Sequence, residues 1–190
     1  RQMCIRDRDM DTLRSTIDGI DRTEFDRVVG KLVRAKRIYI LGVRSSSFLA
    51  GYLNFYFHLI FENVTLVQSA AGEIFDQMLR IGPGDVLLAI GFPRYSKLTM
   101  SAVHFARDRG AEVIAITDSK MSPLYTLSVA SLLVHCEMIS FVDSMAAPVS
   151  LLNALIVAVG KQKSAETAET FAEMERVWSR YEIFGYEDDE

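Results

Sequence analysis

Five short runs of aliphatic and β-branched residues recur along this chain: 37–41 (RIYIL), 64–67 (VTLV), 85–90 (DVLLAI), 112–117 (EVIAIT) and 131–135 (SLLVH). They are nearly continuous in apolar character, with no polar alternation. That pattern suits strands covered by helices on both faces. Helix-length segments separate the runs, and strands that alternate with helices imply βαβ crossovers and a parallel sheet. Turn signals at 82–84 (GPG) and at Gly110 fall between the segments. The expected fold is a doubly wound, flavodoxin-like α/β domain. It has a five-stranded parallel sheet inside a three-layer αβα sandwich, with extra helices at both ends.

Residues 1–10 (RQMCIRDRDM) show no useful period and alternate in charge, so they read as a disordered leader. The chain does not open on methionine, and further sequence is expected upstream. A short apolar rhythm (Leu13, Ile17, Ile20) precedes a clear helical face formed by Phe25, Val28, Val29, Leu32 and Val33. Thr23 and Asp26 suggest its capped start. A last helix over about 165–181 carries Ala168, Phe171, Ala172, Trp178 and Tyr181. The organisation is therefore a leader (1–10), one domain (11–181) and an acidic tail (182–190).

Charge narrows the function. The net charge is −4, and Glu187, Asp188, Asp189 and Glu190 supply all four units, so the remainder sums to zero. A strongly basic nucleic-acid surface is not visible. Cys4 and Cys136 are too few for a disulfide framework or a zinc site. They fit a reducing, cytoplasmic setting. The most apolar stretch, 151–159, falls short of the roughly 20 residues a spanning helix needs. No metal or cofactor is expected.

In doubly wound sheets, ligands bind beyond the carboxyl ends of the strands, where the strand order reverses. After the first run come Gly42, Val43, Arg44, Ser45, Ser46 and Ser47, opening directly into a helix. Hydroxyls and backbone N–H groups at a helix N-terminus form an anion site, and Arg44 adds a phosphate contact. Helix capping alone would need one serine. The spacing is neither a dinucleotide fingerprint nor a P-loop. After the third run, the segment from Gly91 to Thr99 again leads into a helix, with Arg94, Ser96, Lys97 and Thr99 near its start. If the first and third strands are neighbours, both loops flank one crevice. Asp118 and Ser119 read as a turn or as contacts for ligand hydroxyls. Asp143 is either a helix cap or an acceptor for a sugar hydroxyl.

Catalytic groups are sparse. His58 reads as packed within an apolar helix, and His104 lies away from its helix start. His135 and Glu137 are weak candidates for an acid/base pair. No nucleophile elbow is present. The helix over 48–61 is apolar at eleven of fourteen positions, so it must be buried nearly all round. Its outer face requires a homodimer partner or the terminal helices of the same chain.

The segments RIYILGVRSSSFLA, GDVLLAIGFPRYSKLT, RGAEVIAITDSKMSPL and SFVDSMAAPVSLLNALIVAV together resemble a SIS (sugar isomerase) domain over about 20–160. More narrowly, they resemble the C-terminal effector domain of RpiR-type bacterial transcription regulators. The resemblance implies phosphosugar binding. Ser46 matches the phosphate-contacting serine of the first-loop motif. Ser96 matches the final hydroxyl of the second-loop motif S-x-S-G-x-T/S. The departures are Gly91 and Pro93 in place of its two serines, Arg94 in place of its glycine, and Arg44 in place of the glycine before the first-loop serine. The expected ligand set is Arg44, Ser45, Ser46, Ser47, Arg94, Ser96, Thr99 and Asp143. RpiR-type regulators carry an N-terminal helix-turn-helix domain, so DNA would be reached only through that domain, which is missing here. The expected role is a phosphosugar sensor acting as a homodimer or higher oligomer. The alternative is an aldose–ketose phosphosugar isomerase. A third is a dimeric interaction module with a vestigial pocket.

Overall fold

The computed structural model describes residues 2–68, 73–136, 138–139 and 142–183. Its core is a parallel sheet of β1 (Ile38–Gly42), β2 (Val64–Val67), β3 (Val86–Ile90), β4 (Glu112–Thr117) and β5 (Ala130–Leu133). The order is β2-β1-β3-β4-β5, the flavodoxin-like arrangement expected from the sequence. Chain direction across the sheet therefore reverses between β1 and β3, which lie side by side with Gly42 opposite Ile90.

Alternate strand residues feed two separate cores. Ile38, Ile40, Leu88, Ile90, Ile114 and Ile116 face α2 (Arg22–Arg34), α3 (Ser46–Phe57) and α7 (Ala146–Gln162). Tyr39, Leu41, Leu87, Ala89, Val113 and Ala115 face α4 (Glu73–Gln77), α5 (Lys97–Asp108) and α6 (Pro123–Leu127). Burial on both sides is why the strand runs lack polar alternation. A two-stranded antiparallel pair, β6 (Met138–Ile139) and β7 (Val142–Asp143), sits between β5 and α7. Strands of two residues leave no periodic signal, and the sequence reading has no counterpart for them.

Polar contacts tie the layers at specific points. Asp85 is fully buried just before β3, and Arg37 meets it with two bonds of 3.0 and 2.7 Å. The same carboxylate accepts the Gly82 backbone N–H. This pair lies at the amino ends of the strands, opposite the crevice. On the edge strand, the Ser131 N–H donates to Glu24 of α2 at 2.9 Å. That bond blunts an edge that would otherwise offer an open ladder.

Several local expectations change. Residues 2–10, read from the sequence as part of a disordered leader, lie in α1 (Gln2–Gly19), while residue 1 lies outside the described residues. Thr12 and Thr16 of α1 are buried and the helix packs against α7, so tertiary contact orders a segment with weak intrinsic patterning. The cap of α2 is Asp21, whose carboxylate accepts the Thr23 and Glu24 N–H groups, rather than the Thr23–Asp26 pair. His58 is exposed at the C-cap of α3, its ring bonded to the Asn54 carbonyl, because the helix ends one residue earlier.

The α3 helix is also not buried all round. Leu49, Leu53 and Phe57 enter the core, but Phe48 and Phe55 stand 78% and 61% exposed. Neither terminal helix covers them. The last helix, α8 (Ser164–Arg180), has no buried residue and exposes Phe171, Val177 and, just past its end, Tyr181. The acidic tail from residue 184 onward lies outside the described residues.

Candidate functional site

Because β1 and β3 are neighbours, the loops that leave them emerge side by side. The first loop is drawn tightly against its own strand. A Cβ on Gly42 would collide with the Ser46 backbone carbonyl, so no other residue fits there. Arg44 then takes a left-handed backbone, φ 60°. The second loop repeats the device at Arg94, φ 65°. A left-handed backbone costs a non-glycine residue about 1 kcal/mol or more. These are the two places where arginine stands for a motif glycine.

Val43, Arg44, Ser45 and Ser46 line one side of a cavity of about 160 Å³. Gly91, Phe92, Pro93, Arg94, Ser96 and Thr99 line the other, and Asp143 closes it. Seven of the eight sequence-derived ligand candidates therefore share one concavity. The exception is Ser47, whose hydroxyl donates to the Arg44 carbonyl at 2.6 Å and which faces a separate groove with Leu66, Val67 and Gln68. Lys97 is exposed and does not line the cavity.

The hydroxyls divide their work. Ser96 caps α5, accepting the Leu98 N–H at 3.2 Å. Ser45 stands at the N-cap of α3 but makes no capping bond. It donates instead to Asp143 Oδ2 at 2.7 Å, across 98 positions of sequence. Ser46 and Thr99 are buried, each within the first turn of its helix. Two helix N-termini, Arg44 and Arg94 thus border the cavity, and Asp143 is the carboxylate that lines it among the described residues.

A second network braces the crevice from behind. The Tyr95 hydroxyl donates to Asp118 at 2.5 Å, and the Thr117 hydroxyl reaches Ser122 at 2.8 Å. Burial, and then the bond to Asp118, push the Tyr95 phenol above its usual range. Asp118, which the sequence offers either for a turn or for ligand hydroxyls, thereby anchors the second loop. Gly91 lies under Leu124, whose Cδ1 would stand 2.7 Å from any Cβ added there. Neither the Tyr95–Asp118 contact nor the Ser45–Asp143 contact had a local signal, because the partners are brought together only by the sheet.

The acid/base candidates lie elsewhere or go undescribed. His135 is exposed, does not line the cavity, and its backbone N–H donates to Thr16 at 3.1 Å. Glu137 lies outside the described residues. Burial, reinforced by the nearby Asp143 and Asp118 charges, pushes the Cys136 thiol up to about 11. Among the described residues no group of three His, Cys, Asp or Glu side chains could hold a metal ion. No helix there is long and apolar enough to cross a membrane.

Together these features define a doubly wound α/β domain with a small, polar crevice at its topological switch point. Residues 31–158 match the SIS domain family, and the chain belongs to it. No curated protein sequence matches. Among solved structures, it is similar to the sugar isomerase domain of an RpiR transcription factor from Sphaerobacter thermophilus. That match has TM-score 0.86 and 18% identity, covering 93% of this chain and 99% of that one. It is also similar to the Vibrio vulnificus NanR protein complexed with ManNAc-6P (TM-score 0.79, 22% identity, covering 91% and 66%). A third similar structure is E. coli CFT073 c3406 in complex with a phosphosugar (TM-score 0.73, 16% identity, covering 87% and 91%).

Proposed function

We propose that this chain is the phosphosugar-binding effector domain of an RpiR-type transcription regulator, acting as a homodimer in the cytoplasm. In this reading DNA is reached through a helix-turn-helix domain on the N-terminal side of α1. The observation that carries it is the single cavity shared by Arg44, Ser45 and Ser46 from one loop and Arg94, Ser96 and Thr99 from the other. Its volume equals the liquid volume of roughly five waters. That suits a phosphoryl group, with the sugar at the mouth. The phosphosugars held by NanR and c3406 support the ligand class.

Sensing suits the site better than isomerisation. An isomerase needs a base beside the sugar carbons, and Asp143, engaged by Ser45, is the one carboxylate lining the cavity among the described residues. A sensor needs only a difference in affinity between two conformations. The exposed pair Phe48 and Phe55 on α3 supplies the dimer surface in this proposal. The test is a panel of sugar phosphates, including ManNAc-6P and the ligand of c3406, assayed for both binding and turnover. Tight binding without turnover is expected. Robust isomerisation abolished by Glu137→Gln would overturn the sensor reading.

A further inference from the structure

Asp143 and Ser144 are consecutive residues whose side chains reach in opposite directions. Asp143 accepts the Ser45 hydroxyl in the crevice at 2.7 Å. Ser144 donates to Asp9 of α1 at 2.5 Å. The Ser144 carbonyl also accepts the Cys136 thiol at 3.5 Å, and the adjacent His135 N–H holds Thr16, one helical turn below Thr12. Asp143 and Ser144, just before α7, therefore fasten the first loop on one side and the N-terminal helix on the other.

A serine hydroxyl has one proton to donate. An anion seated in the crevice and the Asp143 carboxylate cannot both accept it from Ser45, and the two negative charges repel at such range. If the anion wins and drives the Asp143 backbone out along with its side chain, Ser144 is carried with it, because consecutive Cα atoms are held about 3.8 Å apart.

We propose that Asp143 and Ser144 couple occupancy of the crevice to the docking of α1: an anion that takes the Ser45 hydroxyl displaces Asp143 and loosens the Ser144–Asp9 contact. The inference rests on the reading that the crevice binds a phosphoryl group and adds how that event leaves the site. Coupling of this kind is reciprocal, so whatever pins α1 against α7 also weakens anion binding.

Inorganic phosphate serves as the probe, measured by calorimetry and by hydrogen exchange over residues 7–19 in the full chain. Phosphate is expected to raise exchange there at least twofold. Asp143→Asn, which keeps an acceptor but removes the charge, is expected to bind phosphate at least threefold tighter. Ser144→Ala is expected to show raised exchange in α1 already without phosphate, and no further response to it. Phosphate binding with unchanged exchange in α1, or weaker binding by Asp143→Asn, would overturn the coupling and leave the proposed function standing. If neither the wild-type chain nor Asp143→Asn binds phosphate, the anion site and the coupling fall together.

Discussion

Arg44 and Arg94 occupy matching left-handed positions, φ 60° and 65°, on the two loops that flank the β1–β3 seam. Both line the same cavity. Two independent occurrences of an unfavourable backbone at one site point to a use for the side chains, since glycine would hold either turn at lower cost.

Replacing either arginine by glycine should therefore separate stability from binding. Arg94→Gly and Arg44→Gly are expected to leave unfolding stability within about 1 kcal/mol of the wild type, or slightly raise it. Affinity for a sugar phosphate should fall roughly tenfold, about 1.4 kcal/mol. Denaturant titration and calorimetry on the same samples check both halves. Lost stability with intact affinity would show that the arginines serve the fold.

The Arg37–Asp85 pair should behave in the opposite way. Asp85 is fully buried and holds both the guanidinium and the Gly82 N–H, while Arg37 is about a third exposed. Removing the carboxylate strands the rest of the network. Asp85→Ala is expected to cost about 2–4 kcal/mol in urea unfolding, with phosphosugar affinity unchanged at a temperature where the variant is folded.

Cys136 supplies a pH signature. Its thiol is raised from the usual value of 9.0 to about 11, chiefly by burial, so the folded state holds this proton more tightly than the unfolded chain. The contribution is present in full below about pH 9 and is lost as pH rises from 9 to 11. A Cys136→Ala variant should lack that slope. In a Cys4→Ser background, alkylation of Cys136 should be slow at pH 8 and accelerate only in the alkaline range.

The proposed dimer rests on Phe48 and Phe55. Since both are exposed, charging them should not disturb the core. Phe48→Glu with Phe55→Glu is expected to sediment as a folded monomer where the wild type sediments as a dimer. A wild-type chain that is monomeric at high micromolar concentration would remove this surface from the account.

What the sequence discloses here follows from which interactions are local. The strands were legible because burial on both faces leaves continuous runs such as VLLAI and VIAIT. Placing Ser46 and Arg94 across one crevice depends on β1 and β3 being neighbours, which the sequence offers only as a condition and the sheet order supplies. Contacts made only by the folded sheet were not legible: Ser45 with Asp143, Tyr95 with Asp118, and Arg37 with Asp85. The left-handed arginines were hidden for a different reason, since the usual mark of such a turn is glycine. The α3 helix misled because composition counts apolar residues without saying which face a neighbour covers. The helix over residues 2–10 leaves little mark in the sequence because α1 is held by α7 and Ser144 rather than by its own pattern.

The shared anion site is tested most directly by calorimetry of the Ser46→Ala, Arg94→Ala double variant against the tightest-binding sugar phosphate of the panel. The account predicts at least a tenfold loss of affinity, about 1.4 kcal/mol, with the fold intact by circular dichroism. Affinity equal to that of the wild type would contradict it.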